Sequence, residues 1–189
     1  MTLQTSWRVI QLSNVTPTAW RNGGGTTREL VAWPSAQAWR WRTSVAEVAQ
    51  SGPFSSFAGV QRWFAVLDGE GVCLTVDGRM HMLVEGDMPF AFDGAATTAC
   101  ELLGGATQDF NLMMQGGCGG RMLRVDKHFE MTTTTPKTIA VYANNHSAMV
   151  QYGHKTHELP AHSFGWVQLD ANTAVHVRAS DALLMEMDV

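Results

Sequence analysis

The sequence predicts an all-β protein whose strands close into a barrel or stack as paired sheets. Three observations carry this. Short apolar runs recur at the spacing of roughly 8–12 residues that sandwiches and barrels show. Turn signals separate them, among them Asp68-Gly69-Glu70-Gly71, Asp77-Gly78, Glu85-Gly86-Asp87 and Asp93-Gly94. Almost no segment has the 3.6-residue period of an amphipathic helix. So many short strands in 189 residues require closure or sandwiching, because an open sheet would leave long unpaired edges.

In chain order, the runs Trp7–Leu12, Thr26–Ala32, Trp39–Val48, Arg62–Asp68, Gly71–Val76 and Arg79–Val84 read as strands, followed by Met88–Phe92, Thr97–Leu103 and Gln108–Met114. Asp77-Gly78 between two alternating runs is a hairpin signal, since a type I′ turn needs φ > 0 at both central residues. Gln115-Gly116-Gly117-Cys118-Gly119-Gly120-Arg121 is the one glycine-rich connector, and it divides an expected first half, residues 1–115, from a second, 116–189. The second half is read as Met122–Lys127, Thr138–Asn144, Met149–Tyr152, Lys155–Leu159, Ser163–Leu169, Ala174–Arg178 and Ala182–Met187.

Composition narrows the function classes. Apolar residues make up 45% and charged residues only 16%, as in a packed globular chain and unlike a disordered one. The formal charge of −4 leaves no basic footprint for nucleic acid. The N-terminal residues lack a basic segment followed by an apolar one, so no signal peptide is expected. No apolar run reaches the ~18 residues of a membrane span, so a cytoplasmic location without membrane association is the expectation. Cys73, Cys100 and Cys118 are odd in number and widely spaced, which draws neither a disulfide framework nor a metal clip. Cys73 reads as a buried, inert thiol, and Cys118, between glycines, as the more exposed one.

The first segment with chemical content is Trp20-Arg21-Asn22-Gly23-Gly24-Gly25-Thr26-Thr27-Arg28-Glu29-Leu30. Its glycines permit a tight turn, and the following alternation places Thr27, Glu29 and Val31 on one side of a strand. No Lys-Ser/Thr or helix follows, so this is no phosphate loop. Taken alone, it is also what an ordinary hairpin with a solvated edge looks like. Next come Trp39-Arg40-Trp41-Arg42-Thr43-Ser44-Val45-Ala46, then Gly52-Pro53-Phe54-Ser55-Ser56-Phe57-Ala58-Gly59-Val60-Gln61-Arg62, then Asp109-Phe110-Asn111-Leu112-Met113.

These four motifs, in this order over about residues 7–125, resemble the HutD/Ves family of small bacterial proteins. The resemblance implies a cupin-like β-barrel or jelly roll, a bicupin with two barrel halves, and no established catalytic activity. It also implies a ligand-binding set of Asn22, Thr27, Glu29, Arg42, Ser44, Phe54, Ser55, Arg62 and Asn111. One departure is Ala58, where the family commonly has Pro; Arg62 stays in phase. Leu83–Gly94 looks like the Gly-Asp turn and following strand of cupins. The His-x-His and later His of metal-binding cupins are missing at matching places, so no metal or other cofactor is expected there.

The residues themselves support a pocket, with alternatives left open. On the second strand Arg40, Arg42, Ser44 and Ala46 share a face, which either lines a pocket or meets water. Arg62 shares a face with Phe64 and Val66. At a barrel mouth its guanidinium offers a rigid fork for a carboxylate; alternatively it pairs with Glu29. Asp109, Asn111 and Met113 share a face, and Asn111 offers both a donor and an acceptor to an amide. His154, His157 and His162 are the best metal candidates in sequence, but strand geometry points the first two to opposite faces. No catalytic constellation is visible.

The expected function is therefore a non-catalytic protein binding a small anionic metabolite. By analogy with HutD names this is a formylglutamate- or urocanate-like acid, with a role in regulating histidine utilisation. The alternatives are a cupin enzyme, which needs a metal or a carboxylate such as Glu29 with a raised pKa, and a protein-interaction module. Homodimerisation is compatible with either and is not specified by the sequence.

Overall fold

A computed structural model describes residues 6–189. The N-terminal leader reading falls partly on residues 1–5, outside the described residues. The strands are β1 (Arg8–Gln11), β2 (Thr18–Ala19), β3 (Gly25–Trp33), β4 (Trp41–Val48), β5 (Gly52–Pro53), β6 (Gln61–Asp68), β7 (Val72–Val76), β8 (Arg79–Leu83), β9 (Phe90–Asp93), β10 (Thr98–Leu102), β11 (Thr107–Met114), β12 (Gly120–Val125), β13 (His128–Thr132), β14 (Lys137–Ala143), β15 (Ala148–Tyr152), β16 (Lys155–Leu159), β17 (Ser163–Leu169), β18 (Ala174–Arg178) and β19 (Ala182–Asp188). The one helical element among the described residues is a 3₁₀ turn, Leu12–Asn14.

The chain forms two compact units. Residues 15–117 build a six-stranded sheet, β2-β3-β4-β11-β6-β9, and a four-stranded sheet, β5-β10-β7-β8. Residues 118–189, together with the N-terminal segment, build a five-stranded sheet, β1-β17-β14-β19-β12, and a four-stranded one, β13-β18-β15-β16. Residues 6–14 thus differ from the expected division at 115/116. Arg8–Gln11 ladders with Ser163–Trp166, and that pairing assigns the segment to the later unit. All strand pairs are antiparallel.

Each core follows from strand alternation. In the 15–117 unit Val48, Phe64, Val66, Val72, Leu74, Phe92 and Cys100 bury their side chains together. In the other unit Ile139, Val141, Val150, Val167, Val175 and Leu184 do the same. The Asp77-Gly78 turn has φ of 47° and 78° and joins β7 to β8, as its sequence requires.

Two expectations are corrected here. Cys118 is buried, not exposed: its thiol lies 3.5 Å from the Asp188 carbonyl oxygen, beside the last strand. The strict alternation of Thr27, Glu29 and Val31 also fails. The β3–β4 register runs Glu29 to Ser44 and then Val31 to Thr43, so Leu30 is the extra residue of a bulge. A bulge shifts the side-chain phase. Glu29 therefore follows the face of Ser44, and Val31 the opposite one.

Candidate functional site

The β3-β4-β11-β6 ladder sets one face of the large sheet against a cavity of about 480 Å³, within the range of small-molecule sites. Register explains who meets whom. Asn111 sits opposite Ser44 on one neighbour and Phe64 on the other; Met113 sits opposite Arg42 and Arg62. All six side chains line the cavity. The opposite face of β4, with Trp41, Thr43 and Val45, is buried. Of the residues singled out from sequence, Asn22, Thr27, Arg42, Ser44, Phe54, Ser55, Arg62 and Asn111 line the cavity and Glu29 does not. Arg40 lies outside the strand and is exposed.

Two guanidiniums on the sheet face, Arg42 and Arg62, define the chemistry, and a third, Arg21, also lines the cavity. Arg62 is only 6% exposed. Its Nη2 donates to Asn111 Oδ1 at 3.2 Å and its Nη1 more weakly to the Ser55 carbonyl oxygen at 3.5 Å, while Nε is buried without a hydrogen-bond partner. The cation lies 4.9 Å from the Phe92 ring centroid, 5.2 Å from Phe54 and 5.7 Å from Phe57, close enough for cation–π attraction. Burial, and then the charge of Arg42, push its pKa down to about 10, so it remains a cation at neutral pH. The expected alternative, an Arg62–Glu29 pair, is replaced by a different one: Glu29 Oε2 lies 3.6 Å from Arg42 Nη1.

The rim is built by the glycine turn. Asn22 Oδ1 accepts the Gly24 N–H at 3.0 Å, which closes the turn, and Asn22 lines the cavity. Trp20 Nε1 donates to Thr27 Oγ1 at 2.7 Å, fixing an aromatic wall. Sequence reasoning missed Arg21 and Phe57, which also line the cavity, and Phe92. Phe57 lies inside a quoted motif, and its spacing from Phe54 was the available signal; nothing local marked Phe92. Among the described residues no Asp, Glu, His or Cys lines the cavity. A donor set of cations, amides and hydroxyls does not fit a divalent metal, which needs carboxylate, imidazole or thiolate.

Two residues along β11 from Asn111, on the same side, Asp109 is fully buried. Thr107 donates to its Oδ2 at 2.7 Å, and Oδ1 has no partner. Burial, opposed by that hydrogen bond, pushes its pKa up to about 7. Burial and the Asp109 charge push the Cys100 thiol up to about 12, which makes it inert. His154, His157 and His162 are not brought together as a metal group: His154 is in the turn after β15, His157 Nε2 contacts the Tyr152 hydroxyl at 3.0 Å, and His162 has a φ of 53° before β17.

The family model for HutD matches residues 12–185. The chain belongs to the HutD family. An uncharacterised 21.2 kDa protein in the hutC 3′ region of Pseudomonas putida is 44% identical over 96 residues, 50% of each chain. Protein Ves of Cronobacter sakazakii is 35% identical over 112 residues, 58% of this chain and 62% of that one. The matches thus span about half to three-fifths of those relatives' lengths. HutD from Pseudomonas fluorescens SBW25, in a formate condition, superposes with a TM-score of 0.81 at 30% identity, over 96% of this chain and 98% of that one. More distant solved structures at 9% identity, with TM-scores of 0.70 and 0.61, show a shared cupin-like β fold alone. No helix among the described residues is long and apolar enough to cross a membrane.

Proposed function

We propose that this HutD-family chain is a non-catalytic two-barrel cupin that binds a small carboxylate metabolite in the 15–117 unit. The observation that carries this is a buried cation with no acidic partner among the described residues. Arg62 is held by a neutral amide, a carbonyl and aromatic rings, with a second guanidinium near enough to depress its pKa. The guanidiniums of Arg21, Arg42 and Arg62 line one cavity with no acid in its lining among the described residues; although Arg42 also meets Glu29 at 3.6 Å, the set favours an anion by Coulomb attraction, and partial burial strengthens that attraction. Arg62 supplies the fork, Arg42 the second charge, and Asn111 and Ser44 the polar contacts for an amide or formyl oxygen. The Phe54 and Trp20 walls accommodate a flat or short aliphatic body.

The name HutD and the hutC-region relative favour an intermediate of histidine utilisation, such as formylglutamate or urocanate, and a regulatory role in the cytoplasm. The test is thermal shift with N-formylglutamate and urocanate against glutamate and succinate. A ligand at a hundredfold its Kd stabilises by ~2.7 kcal/mol. A selective, saturable shift that Arg62→Ala abolishes while circular dichroism is unchanged supports the reading. No shift with any acid in folded protein overturns it, as does a shift that survives Arg62→Ala.

A further inference from the structure

The outer face of the β13-β18-β15-β16 sheet carries a cluster that the cavity does not involve. His128 and Glu130 are two apart on β13, so they project from the same side. Glu130 is directly opposite His176 on β18 in the antiparallel register, a position where side chains meet. Both imidazoles close on one atom: His128 Nε2 lies 2.6 Å and His176 Nδ1 3.1 Å from Glu130 Oε1. One ligand atom from each of the three residues falls within 4.8 Å of the others. The alternation that buries Val175 and Val177 beneath this sheet leaves the trio facing solvent, with Arg178 opposite His128. In the neighbouring strands Gln151 stands opposite His176, and Glu158 lies in the row of Met149 and Arg178.

We propose that His128, Glu130 and His176 form a surface binding site for a divalent transition-metal ion of the zinc class. Two neutral imidazoles and one carboxylate are the donor set of open, three-ligand zinc sites, and imidazole donors favour zinc-class ions over calcium or magnesium. Tetrahedral ligands about 2.1 Å from zinc lie about 3.4 Å apart. The contacts of 2.6 and 3.1 Å reach that spacing by small rotations of exposed side chains on a fixed ladder. Binding exchanges the two N–H···O contacts for metal bonds, with any imidazole proton leaving to solvent. The three donors come from one side, so the remaining coordination positions face water and take water or an exogenous anion. The site owes nothing to the cavity of the other unit: its donors are on different strands and are of the opposite kind.

The experiment uses the whole chain, untagged and freed of metal by chelator, titrated with Zn²⁺ by calorimetry and with Co²⁺ by absorption. One Zn²⁺ per chain with micromolar affinity is expected, together with a Co²⁺ visible band of four-coordinate intensity. His176→Ala and, separately, Glu130→Gln weaken binding by about tenfold or more, while His154→Ala leaves it unchanged. All three variants keep the parent circular dichroism, because the substituted side chains lie on or near the surface. Absence of saturable one-to-one binding overturns the site. So does binding that survives His176→Ala, or that His154→Ala weakens equally.

Discussion

Arg62 donates to Asn111 across 3.2 Å, so the buried cation of the cavity rests on a neutral amide where a carboxylate would match it better. The pairing satisfies one hydrogen bond and leaves the charge itself to the aromatic rings and to whatever enters the cavity.

Replacing that amide by an acid supplies the missing anion from within. Asn111→Asp is expected to raise stability by about 1–2 kcal/mol, the added strength of a charge-assisted hydrogen bond, and to abolish the response to N-formylglutamate. Urea unfolding and thermal shift at pH 6, where Asp109 is still largely protonated, measure both effects. A destabilised variant, or one that keeps the full ligand shift, would show that Arg62 does not await an anion.

The three consecutive glycines are not equivalent. A Cβ on Gly25 would collide with the Glu47 carbonyl oxygen and crowd Trp20, whereas on Gly24 it would make only ordinary contact with Asn22. Gly25→Ala is expected to cost roughly 3 kcal/mol or more, in the range of overpacking and strain, and to dislodge Trp20 from the cavity wall. Gly24→Ala stays within about 1 kcal/mol of the parent. Denaturant midpoints and tryptophan fluorescence check the pair, and equal midpoints would refute the contrast.

Asp109 imposes a pH slope. Its carboxyl rises from the ordinary 3.8 to about 7 in the fold, so the folded state keeps a proton that the unfolded chain has already released. The native state is therefore favoured most below pH ~4 as far as this group is concerned. It loses that advantage as pH rises toward 7, by up to ~4 kcal/mol at 1.36 per pKa unit. Asp109→Asn is expected to flatten this loss, so that variant minus parent stability is more positive at pH 8 than at pH 5. Urea titrations at the two pH values measure it; an identical difference at both would rule out the titration.

Local patterns suffice for the all-β class and the Asp77-Gly78 hairpin, which depend on strand period and turn chemistry, whereas the eight expected residues that line the cavity follow from the resemblance of the four motifs to the HutD/Ves family. Relations between strands were not legible. Whether Glu29 meets Arg42 or Arg62 depends on the bulge at Leu30, which alternation along one strand does not reveal. Phe92 reaches Arg62 because β9 pairs with β6. Glu130 and His176 are joined only by the β13–β18 register, whereas closeness in sequence singles out His154 and His157.

Because β1 ladders with Ser163–Trp166, on the far side of the entire 15–117 segment, the first described strand is among the last to find its place. Domains ordinarily fold as they leave the ribosome, earliest residues first. Here a nascent chain presents residues 8–11 long before their sheet exists, and the segment holding the cavity is synthesised in full while they wait. The strand that opens the described chain is thus completed only by residues made after the whole 15–117 segment.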